Sequence, residues 1–427
     1  MKIPYINTGI AFDIASTLFL APIWWVLGVS IFIYHIVSVF LVFKLILVFS
    51  LGSRGLRAPT GLIPLLCLII FYFISILLNM PFNDTIRTAA SLYNWSFWIM
   101  GLFIILVIYN IFAIEDVRLL TKAMMVNCLI IGILAICALL FWKTGHHVAI
   151  EYPTPLFLLI GGLNKIAHLQ ASATINIMSL DWFSLSKYPR LSIMAPYYTA
   201  LGGMMLIMLP FLLTGRKTLV NILSMTGGAI ALLFSLSRLS IFALAIGFLF
   251  VRVLNYKHWF LLILLLVLIV IFSMPVLVNI FNAANELRVG SSSLRFDLYS
   301  HTFVEVMDKN IWLGMGAKPR ENFLSIPVGS HSTYISVLYR VGIMGLLAFI
   351  AFQISCIFAW LRIRINLIGR DQHRLWSILG VALIAMSIWM IGEDIDAPQL
   401  VAFLYFILVG IIFAFGKYAR NQAKDLS

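Results

Sequence analysis

The sequence predicts an all-α polytopic membrane protein with about twelve transmembrane helices, and three observations carry that prediction. Of its 427 residues, 62% are hydrophobic and only 11% charged, where soluble domains run at about 25% charged. The apolar runs are continuous over about 18 residues or more, long enough to cross a bilayer as helices and unlike the short alternating segments of a transmembrane barrel. The formal net charge of +13 gathers in short loops between those runs, as Lys and Arg do when they anchor membrane helices.

Taken in order, residues 14–51 are apolar but for His35 and Lys44. As one helix they would reach about 57 Å, against roughly 30 Å of hydrocarbon, so they must make two spans with the turn near Pro22 or Gly28. The basic loop SRGLRAP leads to spans at 61–79, 89–110 and 122–142, which close an N-terminal unit of residues 1–142. A polar segment, 143–193, separates it from spans at 194–213, 219–236, 239–256 and 258–276. Within these, Leu219 to Val251 would be about 50 Å as one helix, so it folds back near Ser235–Ser237. The second long polar segment, 277–332, precedes the last unit, 333–427, with spans at 333–360, 375–391 and 399–416 and a basic tail.

With the N-terminus in the cytoplasm, the inner loops and tail collect most of the 29 Lys and Arg, among them Arg54, Arg57, Arg118, Lys122, Arg216, Lys217, Arg362, Arg370 and Arg374. The bias in short loops sets orientation, so both termini are expected in the cytoplasm. Segments 143–193 and 277–332 then face outward together. The N-terminus lacks a basic region followed by a small-residue cleavage site, so Met1 is expected to stay in the mature chain. Cys67, Cys128, Cys137 and Cys356 all lie in apolar runs, which predicts neither a disulfide framework nor a cysteine metal site. A phosphate loop of the GxxxxGK[ST] type and a basic, aromatic-interleaved run are both missing, which argues against ATP-driven work and nucleic-acid binding.

The chemistry is expected in the polar stretch from Glu286 to Gly345. His331, in the turn IPVGSHSTY, puts an imidazole at the outer mouth of a span and is the candidate general base; Ser330 to Thr333 would cap the helix that follows. His301 reads as a polar position on an amphipathic helix, and the His146–His147 pair has no companion ligands, so no metal is expected. Arg288 and Arg295 flank VGSSS. After them SLRFDLYSHTFVEVMDKN reads as an amphipathic helix with Leu294, Leu298 and Met307 or Val306 on one face. Arg295 in its first turn opposes the helix dipole and calls for a negative partner, for which Asp297 is at hand. Arg238, in FSLSRLSIF, is the lone charge of a long apolar stretch, which marks a functional site unless the side chain snorkels from a helix end. Arg190, just before another span, is either an interfacial anchor or an anion ligand. Glu393 and Asp394, in the turn GEDIDAP, can orient a histidine or balance the arginines. Arginines converging on one outer pocket suit an anion with more than one negative charge, such as a lipid diphosphate.

The motifs FSLSRLSIFALAIGF, NIWLGMGAKPR and GSHSTYISVLYRVGIMG, followed by a last pair of spans, together resemble the O-antigen ligase and polymerase superfamily over roughly residues 190–415. The resemblance implies a GT-C-like glycosyltransferase of the bacterial inner membrane, facing the periplasm, with an undecaprenyl-diphosphate-linked glycan as donor and no metal or cofactor. It implies His331 as base and Arg190 and Arg238 as diphosphate ligands, to which the reading of the outer loop adds Arg295 and Arg288. Members often carry Asn after the histidine, where this chain has Ser332. The acceptor is expected to be another lipid-linked repeat, as in polymerisation of O-antigen or exopolysaccharide, with a chain-length regulator as a further partner. The alternative is lipid A–core, as in a ligase. A transporter or flippase is the competing class, because ionisable groups in spans also mark transport paths.

Overall fold

The computed structural model describes residues 4–50, 55–83, 85–111, 113, 115–146, 148–160, 173–180, 189–216, 218–256, 291–318, 322–323, 326–396 and 399–425. The first apolar run folds as its length demands. Helix α1 (Pro4–Phe19) and α2 (Ala21–Leu27) meet at a 49° bend, with Pro22 in the first turn of α2, where its missing N–H costs nothing. Gly28, at φ 80°, ends α2, and the chain returns as α3 (Ser30–Ser50). Helices α4 (Ile63–Asn79), α5 (Thr85–Ile111) and α6 (Asp116–Lys143) follow. A short helix, α7 (Pro155–Ile160), and an antiparallel sheet in the order β1 (Ile150–Pro153), β2 (Thr174–Leu180), β3 (Pro189–Leu191) lie outside the spans.

The second group is α8 (Tyr198–Leu212), α9 (Leu219–Phe234) and α10 (Arg238–Leu254), so the chain reverses at Ser235–Ser237 as the length argument requires. The span expected at 258–276 lies outside the described residues. Then come α11 (Ser291–Lys309), a two-strand hairpin of β4 (Asn322–Phe323) and β5 (Ile326–Pro327), and α12 (Thr333–Ile363), α13 (Arg370–Gly392) and α14 (Gln399–Asp425). Every expected span that falls on described residues is helical. By length and composition seven of the described helices can cross a membrane, or eight with the bent α1–α2 pair counted as one; α8 and α9 are shorter apolar helices.

Helix α14 is the axis of the bundle: Leu400 to Phe415 are buried on every face, as in a helix apolar all round and surrounded by others. Helix α3 is its opposite, with Ile36, Val39, Phe40, Phe43 and Ile46 exposed along a face suited to lipid. Where helices touch most closely the residues are small, because apolar side chains gain nothing by leaving lipid and close backbone approach supplies the attraction. At the α6–α9 crossing a Cβ on Gly132 would stand 2.5 Å from the Cα of Gly227.

One end of the bundle gathers the start of α8, the reversal between α9 and α10, the starts of α11 and α12, and the end of α13. Contacts named below tie these together, and the antiparallel order of the helices puts them there. That grouping is the one the alternating topology anticipates for segments 143–193 and 277–332.

Candidate functional site

The site begins with a helix that does not run through. Helix α12 breaks at Gly342, with φ 71° and ψ −167°, where the sequence alone suggests a single span. The segment Ile311–Gly316 fills the break. Met315 N–H donates to Tyr339 O (2.8 Å), Gly316 N–H to Arg340 O (2.9 Å), and Ile343 N–H to Ile311 O (2.8 Å). These bonds take up backbone groups that an unbroken helix would pair internally. The approach leaves no room for side chains: a Cβ on Gly342 would meet the Trp312 carbonyl carbon at 2.4 Å, and one on Gly314 would meet Gly342 N at 2.6 Å. The glycines of NIWLGMG and YRVGIMG are therefore the two halves of one joint. Asn79 and Ser75 of α4 buttress it through Gly314 O (3.1 Å) and Arg340 O (2.7 Å).

Arg340 lies two residues before the break and is buried. It pairs with Asp396 Oδ2 at 2.5 Å and donates to Tyr72 Oη (3.0 Å) and to the Ser336 hydroxyl. A buried, fully partnered arginine of this kind locks the acidic turn after α13 to α12; removing one partner of such a pair costs about 3–5 kcal/mol.

His331 sits in front of that half-helix. Its φ is 62°, in the left-handed region that residues other than glycine seldom enter. Ser332 then caps α12, accepting from Ile335 N–H at 3.3 Å. Asn and Ser serve almost equally as N-caps, so the Asn-to-Ser departure from the family pattern keeps the local structure. The Tyr299 hydroxyl donates to His331 O at 2.5 Å, and Thr333 is clamped to the acidic turn, its N–H and hydroxyl both donating to Glu393 O (3.0 and 2.7 Å). The turn is thus fixed through its backbone, while the imidazole has no hydrogen bond among the described residues. Burial first, then the charges of Arg295 and Lys318, pull the His331 pKa down from 6.5 to about 4, so the ring is neutral at physiological pH.

Three of the arginines singled out in the sequence come to this end of the bundle in different states. Arg295, on α11, reaches the end of α13, donating to Glu393 Oε1 (3.0 Å) and Gly392 O (3.2 Å) with about a third of its side chain open. Its negative partner is Glu393 and not Asp297, which is exposed. Arg190, on β3, is buried: its guanidinium stacks 3.1 Å from the Tyr198 ring centroid and donates to Ser235 O and Leu236 O, both at 3.4 Å. It grips the SLSR turn from behind. Arg238, the first residue of α10, is exposed just after the Ser237 cap. Its neighbour Leu239 packs on Gly392, beside the Arg295 guanidinium. Arg288 and Arg320 lie outside the described residues.

On α11 the buried face is Leu298 and Val306, with Met307 turned outward, which settles the choice the periodicity left open; the Leu294 side chain is outside the described set. The acids divide the work. Glu393 has a donor on each oxygen, Oε1 accepting from Arg295 and Oε2 from the Thr199 hydroxyl (2.9 Å). Burial raises its pKa, and Arg295 and Thr199 oppose the rise. Asp394 holds Lys318 Nζ at 2.6 Å, while Arg87 of α5 chelates Lys318 O from Nε (3.1 Å) and Nη2 (2.9 Å). In the sequence Lys318 is one of six Lys and Arg between Glu286 and Gly345; the contact with GEDIDAP that distinguishes it spans 76 residues and leaves no local trace in the sequence. Among the described residues no group of three or more His, Cys, Asp and Glu side chains is placed to hold a metal ion.

Chemically, the arrangement offers a neutral imidazole within reach of the charges of Arg295 and Lys318, with exposed Arg238 at the same end of the bundle. That suits removal of a proton beside a bound polyanion. Residues 223–350 match the family model described as O-antigen ligase, a stretch that begins in α9 and takes in the SLSR turn, Arg295, the 311–316 insert, His331 and the break at Gly342. The comparison with curated proteins returned no match.

Proposed function

We propose that this chain, whose match over residues 223–350 supports membership of the O-antigen ligase and polymerase superfamily, is an inner-membrane glycosyltransferase. It transfers a glycan from undecaprenyl diphosphate to a sugar hydroxyl on the periplasmic side. The observation that carries this reading is the neutral imidazole of His331, without a hydrogen bond among the described residues, within reach of the charges of Arg295 and Lys318.

His331 takes the proton of the acceptor hydroxyl as its oxygen attacks the anomeric carbon of the donor. The bond from that carbon to the diphosphate oxygen breaks with its electron pair staying on the diphosphate, which leaves with one added negative charge. Arg295 and Arg238 face that charge, and Arg190 holds the turn that presents Arg238. Fixed cations placed where charge develops supply the stabilisation, so the leaving group needs no proton of its own. The proton then passes from His331 to solvent or to the departing diphosphate. A base with pKa about 4 is weak; burial does most of the lowering, and a bound diphosphate offsets the smaller share that Arg295 and Lys318 add, so the donor itself strengthens the base somewhat.

The acceptor is a second lipid-linked repeat, which makes the reaction a polymerisation. The description of the matching family favours the ligase reading, with lipid A–core as acceptor. A strain lacking the protein separates them. Single-repeat products are expected, whereas long chains stranded on their lipid carrier would replace polymerisation with ligation, and an unchanged glycan profile would overturn both.

A further inference from the structure

Glu393 and Asp394 are neighbours in sequence, yet their carboxylates serve different sides of the site. Glu393 ends α13 with extended backbone, φ −146° and ψ 149°, and in extended chain successive side chains point to opposite faces. Glu393 accordingly turns toward Arg295 and Thr199, on the side of the SLSR turn. Asp394 turns toward Lys318, on the side of Arg87 and the inserted segment. Both sides lie within reach of His331, which feels the charge of Arg295 and of Lys318 and whose turn is joined to Glu393 through Thr333. A base in glycosyl transfer must likewise have two ligands within reach, the donor and the nucleophile.

The two acids differ in what they leave unfilled. Both oxygens of Glu393 have donors. Asp394 Oδ2 holds Lys318, but Asp394 Oδ1 is buried with no hydrogen-bond partner among the described residues. A buried carboxylate oxygen without a donor is costly unless a donor arrives. The neighbouring Lys318 side chain is about a fifth exposed, and its ammonium has donors to spare beyond the one on Asp394 Oδ2. The backbone on either side does not yield, because Thr333 ties Glu393 O and Ile395 N (3.0 Å) to the start of α12.

Resting on the glycan-transfer reading, we propose that the Lys318–Asp394 pair anchors the acceptor sugar, opposite the arginines that hold the donor diphosphate. Asp394 Oδ1 accepts from one sugar hydroxyl, and Lys318, swung aside, donates to the oxygen next to it. The pair thereby aims a neighbouring hydroxyl at His331. The ligand class is a neutral sugar with vicinal hydroxyls, and the two residues are positioning residues rather than proton carriers.

The test uses the full chain in lipid nanodiscs with two probes. Inorganic diphosphate reports the donor side. The repeat oligosaccharide, freed by mild acid from the lipid carrier of the deletion strain, reports the acceptor side. Asp394→Asn and Lys318→Met are expected to weaken oligosaccharide binding about tenfold or more and to leave diphosphate binding within about twofold; Arg295→Gln should do the reverse. Lys318→Arg, which keeps the charge, should recover part of the loss and controls for folding alongside the thermal midpoint. Lys318→Met weakening diphosphate as Arg295→Gln does, or leaving oligosaccharide binding unchanged, overturns the assignment. Failure of this proposal alone leaves the Arg295→Gln effect on diphosphate intact; wild-type protein that binds neither probe sinks the glycan-transfer reading with it.

Discussion

Two turns at the same end of the bundle are built alike and used differently. One is Ser235-Leu236-Ser237-Arg238, the other Ser330-His331-Ser332-Thr333. In each, a residue other than glycine takes the left-handed conformation, Leu236 at φ 50° and His331 at φ 62°, and the serine after it caps a membrane helix. In each, a side chain from elsewhere grips the turn's carbonyls: Arg190 on Ser235 O and Leu236 O, Tyr299 on His331 O. Strained backbone persists only where its surroundings over-determine it. The third such residue among those described, Met194, precedes α8 at the same end. The difference lies in which position carries function. The first turn displays the residue after the cap, an exposed arginine. The second displays the strained residue itself, a neutral histidine.

This comparison predicts that equally conspicuous arginines fail differently. Arg295→Gln, which removes a charge facing the donor but keeps an amide able to donate to Glu393, should lower glycan transfer about a hundredfold with a smaller fall in thermal midpoint than Arg190→Gln. Arg190→Gln strips buried carbonyls of their donor, at about 1–3 kcal/mol for each group left unsatisfied, so midpoint and activity should fall together. Equal stability losses in the two variants would erase the distinction between a binding arginine and a buttress.

The second turn is also the one that titrates. With the free-enzyme pKa of His331 lowered from 6.5 to about 4, the neutral base persists above that value. kcat/KM should therefore stay level from neutral pH down and fall only as pH drops through about 4. Arg295→Gln leaves the burial that does most of the lowering but removes one depressing charge, so the limb should move up part of the way toward 6.5; a limb that stays put would detach Arg295 from His331. The smallest effect is expected of Ser332→Asn, a swap between two good caps that should change stability by about a few tenths of a kcal/mol and leave transfer intact.

Much of this was legible in the sequence where a single physical scale governs. Bilayer thickness dictated the folds at Gly28 and at Ser235–Ser237, and the lone charge in FSLSRLSIF pointed to the first turn. The SHST turn stood out because polar residues meet an apolar helix there. What escaped depended on contacts between distant segments. Gly342 sits in an apolar run that reads as continuous helix, and its break is intelligible only once Trp312–Gly314 are seen lying in it. Arg190 reads in the sequence as an interfacial anchor or an anion ligand, and its place behind Tyr198 and the carbonyls of the SLSR turn shows only in the fold. Asp297 was the partner nearest to Arg295 in sequence, but Glu393, 98 residues away, is nearest in space.

The central claim is that His331 is the base of a glycan transfer whose donor is held by the arginines. The direct measurement is transfer by the purified chain in lipid vesicles, using the lipid-linked repeat extracted from the deletion strain and comparing wild type with His331→Ala. The account predicts elongated glycan from wild type and a loss of about a hundredfold to ten-thousandfold in the variant, with inorganic diphosphate still bound. Undiminished transfer by correctly folded His331→Ala would contradict it.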